Sequence, residues 1–142
     1  MKSFIEVYGC TANKSDAALV KGVLRENNYE IVQYVTEADI IIIHTCTVID
    51  TTQQRMLSRL KNLKKLDKKV VVCGCMASVQ KDLIKDILPN AQFLPPQYSH
   101  HIVDLLEEKN IRFVDENKMS FPKYFNNIIA PISIAEGCNF SC

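Results

Sequence analysis

Cys10, Cys46 and Cys75 each follow a short apolar run. Ser3 to Val7 leads to Tyr8-Gly9-Cys10, Ile40 to Ile43 leads to Thr45-Cys46-Thr47, and Val70 to Val72 leads to Gly74-Cys75-Met76. Thiolates are soft ligands, and a set of them suits zinc or an iron–sulfur cluster. Three thiolates on a four-iron cluster leave one iron without a protein ligand, open to a substrate or a small sulfur species. Cys73 lies inside its apolar run and reads as structural filler. A zinc site drawing on Cys73, Cys75, Cys10 and Cys46 is the rival arrangement. Cys138 and Cys142 form a C-x-x-x-C pair behind Gly137, a weak signal by itself.

The elements that position these residues follow from their patterning. Short β-branched runs, each followed by a helical pattern, predict buried parallel strands alternating with helices. Strands are expected at Ser3 to Tyr8, Tyr29 to Tyr34, Ile40 to His44, Lys69 to Cys73 and Ala91 to Leu94. Asn13 is expected to cap the first helix with Asp16 reaching back, which leaves Cys10 just before a helix N-terminus. Asp50, Thr51 or Thr52 is expected to cap the second helix, with Met56, Leu57, Leu60, Leu63 and Leu66 as its buried stripe. Arg55, Arg59, Lys61, Lys64, Lys65, Lys68 and Lys69 occupy its other faces, either as a solvated surface or as an RNA-backbone patch. A third helix carries Val79, Leu83, Ile84 and Ile87 and ends before Pro89. After Pro95-Pro96 comes a helix with Ile102, Val103, Leu105 and Leu106, with His100 and His101 as surface or capping residues near its start. Ile111 to Val114 suggests one more extended piece.

The expected fold class is therefore α/β, an open five-stranded parallel sheet in the flavodoxin-like order 2-1-3-4-5 with helices on both faces. In that order strands one, three and four are neighbours. Their C-terminal loops bring Cys10, Cys46 and Cys75 together at the switch point where such sheets bind ligands. Residues 1–114 read as one domain and 115–127 as a linker. Residues 128–142 read as the start of a second domain, opening with a strand from Ile128 to Ile134.

The 142 residues carry a net charge of +1 and are 47% hydrophobic. Overall charge therefore does not advertise nucleic-acid binding. No signal peptide and no membrane-length apolar run is present, so the expectation is a cytoplasmic protein without a membrane partner. Six cysteines permit a disulfide framework, but regular α/β patterning without an export signal argues against one.

With these motifs in place, the sequence resembles the radical S-adenosylmethionine methylthiotransferase family. Gly9-Cys10-Thr11-Ala12-Asn13-Lys14-Ser15-Asp16 is similar to the family's G-C-x-x-N-x-x-D motif. Ala38-Asp39 with Thr45-Cys46-Thr47-Val48 resembles the second motif, and Gly74-Cys75-Met76-Ala77 the third. Glu136-Gly137-Cys138 to Cys142 resembles the start of the catalytic barrel. The match runs from about Phe4 to the last residue, in the family's order and spacing.

The resemblance implies that Cys10, Cys46 and Cys75 bind an auxiliary 4Fe-4S cluster with an open iron that carries the sulfur. It implies that Cys138 and Cys142 bind a second 4Fe-4S cluster, which cleaves S-adenosylmethionine. The third cysteine of that set would fall three residues past Cys142, so the chain reads as an N-terminal piece with a truncated radical SAM barrel. The piece is not expected to be active alone. The implied enzyme replaces an unreactive C–H bond with a methylthio group, with tRNA (anticodon region) as partner and a separate sulfur donor. Tyr8 to Thr11, Asn13-Lys14, and Thr45 to Val48 with Thr52 and Met56 look most like the archaeal and eukaryotic branch, which acts at C2 of N6-threonylcarbamoyladenosine. Isopentenyladenosine in tRNA and a ribosomal-protein aspartate are the alternative substrates. Two departures stand out: His44 where the family usually has Asn, and Ala17 where Ser is common. His44 is either a core residue or a donor that tunes the cluster. A cobalamin domain would need a D-x-H-x-x-G loop and a flavin site a glycine- and hydroxyl-rich loop after strand one. A receiver module would need clustered acids at its strand ends. None of these is present. A zinc-binding or flavodoxin-like interaction module without catalysis remains the non-enzymatic reading.

Overall fold

The structure is a computed structural model describing residues 1–47, 50–109, 116–125 and 128–134, with the backbone alone at 50–52. The strands are β1 (Lys2–Val7), β2 (Glu30–Val32), β3 (Ile40–Thr45), β4 (Lys69–Gly74) and β5 (Gln92–Leu94). They form one sheet in the order β2-β1-β3-β4-β5, and every pairing is parallel. This is the order expected from the alternation of apolar runs and helical patterns.

The central strand explains the layering. Every residue of β3 is buried, because successive side chains point to opposite faces and both faces are covered. Ile40 and Ile42 pack with Leu19, Val20, Val23 and Leu24 of α1 (Thr11–Glu26) and Ile102 of α5 (Ile102–Leu106). Ile41 and Ile43 pack with Met56, Leu60 and Leu63 of α2 (Asp50–Leu63) and Ile84 of α4 (Lys81–Ile87). Full burial of one such isoleucine contributes about 1.5–3 kcal/mol.

The structure changes several expectations. The helix after β1 starts earlier than predicted, with Cys10 itself at the N-cap. Asn13 is thus an interior residue of the first turn and caps nothing. The predicted third helix is two: α3 (Cys75–Val79) and α4, divided at Gln80. Val79 and Leu83 consequently turn to solvent at 71% and 39% exposure. Leu66 leaves the α2 stripe, because a 3-10 turn closed by Asp67 in the left-handed region rotates it outward. The expected caps Asp50, Thr51 and Thr52 have side chains outside the described set. His100 is buried rather than superficial, stacked 4.7 Å from the Phe121 ring. His101 is the N-cap residue of α5 and pairs its Nδ1 with Asp104 Oδ2 at 3.0 Å.

Residues 128–134 form no sheet pairing, as a strand needs a neighbour to bond and none of the described residues supplies one. The predicted piece at Ile111 to Val114 lies outside the described residues, as do Cys138 and Cys142. No described helix is long and apolar enough to cross a membrane.

Candidate metal centre

Parallel register sets where the three N-terminal cysteines fall. Val7 of β1 pairs with His44 of β3, and His44 pairs with Cys73 of β4. Cys10 lies three residues past that row, and Cys46 and Cys75 lie two past it. All three therefore share the C-terminal edge of three adjacent strands, as the strand order requires. Cys10 is exposed, Cys75 half-buried and Cys46 buried, and all three are free thiols.

Two glycines let the loops meet. Gly9 has φ +114°, and a Cβ there would lie 2.6 Å from Cys46 Cβ and 3.1 Å from Cys46 Sγ. Gly74 has φ +84°, and its Cβ would lie 2.3 Å from the Thr45 carbonyl oxygen. Backbone this close, in a region open mainly to glycine, packs the first loop onto Cys46 and seats Cys75 directly after β4.

Asn13 joins these loops. Its Nδ2 donates to the Tyr8 carbonyl at 3.2 Å and to the Thr45 carbonyl at 3.0 Å. Those are the residues leading into Cys10 and Cys46. Its Oδ1 faces Gly74, 3.0 Å from where a Cβ would sit. One buried amide thus bonds two of the cysteine loops and lies beside the third. Sequence reasoning noticed Asn13 and gave it the wrong task; the signal was its place three residues after a cysteine that can itself occupy the N-cap. The Thr45 hydroxyl adds a tie to the Cys73 carbonyl at 2.6 Å, and the Cys46 amide donates to Met56 Sδ at 3.2 Å.

Electrostatics agree with the placement. Burial raises the Cys75 thiol first, and the neighbouring Cys46, Cys10 and Asp16 raise it further, against an opposing backbone hydrogen bond. Thiolates that raise one another repel and favour a cation between them. The side chains are not gathered into one shell. Among the described residues, no group of three or more His, Cys, Asp or Glu side chains is placed to hold a metal ion. Ligand ordering and metal binding are coupled in such sites. The three-sulfur donor set and the glycine approach to Cys46 suit a thiolate-bound cluster.

Cys73 faces the α1 side of the core, fully buried, its thiol pushed upward by desolvation and by Asp16. That is the filler role expected of it. His44 lies beside it in the register, and neither ring nitrogen has a hydrogen-bond partner among the described residues. Burial, and then Lys21, lower its pKa to about 3. Of the seven cations expected on the second helix, only Arg55, Arg59 and Lys61 lie on it. Lys64 and Lys65 fall in the 3-10 turn, Lys68 just before β4 and Lys69 in β4, because the helix ends at Leu63. Several are committed to other partners. Arg59 pairs with Glu6 at 2.9 Å, Lys68 donates to the Val35, Thr36 and Ala38 carbonyls, and Lys69 to that of Leu106. Arg55, Lys61, Lys64 and Lys65 stay exposed.

A family model described as uncharacterized protein family UPF0004 matches residues 2–94. The chain belongs to that family. The UPF0004 match covers the sheet and all three cysteine loops. A probable threonylcarbamoyladenosine tRNA methylthiotransferase from Methanocaldococcus jannaschii is 36% identical over all of this chain and 35% of its own length. A tRNA-2-methylthio-N(6)-dimethylallyladenosine synthase from Hydrogenobaculum sp. is 31% identical over all of this chain and 37% of its own length. The UPF0004 chain therefore spans little more than a third of these relatives. A solved short-chain flavodoxin, associated with a non-canonical PDU bacterial microcompartment, covers 76% of this chain and 97% of its own, at a TM-score of 0.48 and 11% identity.

Proposed function

We propose that this chain is the N-terminal part of a tRNA methylthiotransferase that modifies C2 of N6-threonylcarbamoyladenosine beside the anticodon by radical S-adenosylmethionine chemistry. The observation that carries the reading is the shared edge of Cys10, Cys46 and Cys75 in a UPF0004 chain whose relatives are named for methylthio transfer. Cys10, Cys46 and Cys75 would hold a 4Fe-4S cluster, which when bound supplies an iron without a protein ligand for the sulfur to be transferred. Cys138 and Cys142, with a third cysteine beyond this chain, would hold the second cluster and its S-adenosylmethionine.

The chain's own residues do the positioning. Gly9 and Gly74 admit the close approach of the loops, and Asn13 fixes their spacing. Cys46, the buried member, is anchored through its amide to Met56, while exposed Cys10 and half-buried Cys75 leave the outer side open. N6-dimethylallyladenosine is the second substrate reading, favoured by the Hydrogenobaculum relative.

Iron and acid-labile sulfide per chain after anaerobic reconstitution test the proposal. About four of each in the parent, lost in Cys46→Ala, is expected. Stoichiometric zinc in place of iron would overturn it in favour of a zinc-binding interaction module. Nucleoside mass spectrometry of tRNA treated with the longer protein decides between the two adenosines.

A further inference from the structure

Helix α1 is buried more completely than a helix on an open sheet needs to be. Such a helix hides one stripe and shows the other to solvent. Here Ser15 to Leu24 are all buried except Lys21, which is half-buried. The outer side is covered by the segment that the sequence reads as a linker. The Tyr124 amide donates to the Ala18 carbonyl at 2.8 Å. The Arg25 guanidinium lies 4.0 Å over the Tyr124 ring. Lys118 Nζ meets Asp16 Oδ1 at 3.2 Å, with both side chains only 12% and 11% exposed. At Gly22 the backbones touch so closely that a Cβ would fall 2.2 Å from the Pro122 oxygen and 2.5 Å from its carbonyl carbon. Phe121 packs into the core behind His100.

Residues 128–134 border the same helix. Ile129 and Pro131 share a cavity of about 210 Å³ with Lys14, Ala17, Ala18 and Lys21. Ser133 and Ile134 share one of about 220 Å³ with Ser15, Asp16 and Leu19. Ile129 and Ile134 are themselves 80% and 87% exposed, so this stretch borders α1 without packing tightly on it.

We propose that residues 116–125 are a fixed brace on α1, seated along its outer side between Asp16 and Arg25. Gly22 is the docking point. Arg25, Asp16 and Lys118 are positioning residues that lock the brace. The brace does not rest on the proposed chemistry, so it can fail while iron binding holds, and the reverse.

The test is amide exchange and trypsin cleavage of the chain and of Gly22→Ala. Alanine favours the helix, so loss of the fold is not expected, yet its Cβ must displace Pro122. In the parent, the Tyr124 amide is expected to exchange at least about tenfold more slowly than in an unstructured peptide, with Lys118 and Lys123 resisting trypsin. In Gly22→Ala the amide returns to about the unstructured rate and both lysines are cut, while β3 and β4 amides stay protected. A Tyr124 amide that exchanges freely in the parent, or stays protected in Gly22→Ala, overturns the brace. Should Gly22→Ala lose β3 protection as well, the double variant Arg25→Ala, Lys118→Met carries the same test without inserting a Cβ. Its Tyr124 protection must then fall, and unchanged protection overturns the proposal.

Discussion

Replacing Asn13 tests whether the cysteine loops are held by one side chain. Asn13→Ala strips the donor from two carbonyls. That of Thr45 is fully buried in its bond to Asn13, and that of Tyr8 is part-buried. A buried acceptor left without a partner costs about 1–3 kcal/mol, and one that water can reach costs less. The sum is about 2–4 kcal/mol. With a urea slope near 2 kcal/mol per molar, the midpoint should fall by about 1–2 M. Asn13→Asp is the sharper perturbation, since it is nearly isosteric and replaces the donor by a second acceptor facing the two carbonyl oxygens. It should be less stable than Asn13→Ala although it removes no volume. Urea unfolding followed by circular dichroism reads both, and reconstituted iron per chain reads the site. A midpoint for Asn13→Asp at or above that of Asn13→Ala would refute the assigned hydrogen bonds. Iron content that stays at the parent level while stability drops would show that Asn13 supports the fold without arranging the cysteines.

Gly74→Ala should cost more than about 3 kcal/mol, since it combines 1–3 kcal/mol of backbone strain with a Cβ 2.3 Å from the Thr45 oxygen. A midpoint shift under about 1 M in urea would contradict that. His44, lowered to about 3, should contribute stability that is fully present above its unfolded pKa of about 6.5. As the folded value is depressed, that stability is lost as pH falls from there toward 3, by at most about 1.4 kcal/mol per pH unit. His44→Leu should flatten this limb of the stability profile, and an unchanged acid limb would show that other groups set it. The loss of iron in Cys46→Ala and the local release of Tyr124 in Gly22→Ala complete the set.

The sheet order was legible because the signals that determine it are local. Each apolar run is short, β-branched and followed by a helical pattern, and β3 is apolar at four successive positions with both faces covered. The shared edge of the three cysteines followed from that order alone. Position along the chain was less legible where two residue types compete for one task. Asn13 and Cys10 both fit the start of α1, and the chain starts the helix at Cys10, which frees the better capping side chain to reach across to Thr45. Periodicity could not reveal that choice, because a cap three residues later produces nearly the same helical pattern.

His100 was misread for a different reason, which bears on how the chain is held together. It is covered by a residue of the segment read as a linker, Phe121, as Gly22 of α1 is by Pro122. A segment with no repeat of its own can still be ordered when it lies on a helix that supplies the pattern, and small residues at Ser15, Ala18 and Gly22 provide that path. The glycine inside α1 is the useful sign. A glycine in a helix interior costs about 1 kcal/mol relative to alanine, and in α1 the cost falls where a Cβ would collide with the Pro122 backbone. The same economy appears at Gly9 and Gly74, where positive φ brings backbone against Cys46 and Thr45. All three glycines give up local stability to let one stretch of chain approach another, twice to assemble the cysteine edge and once to seat the brace on α1.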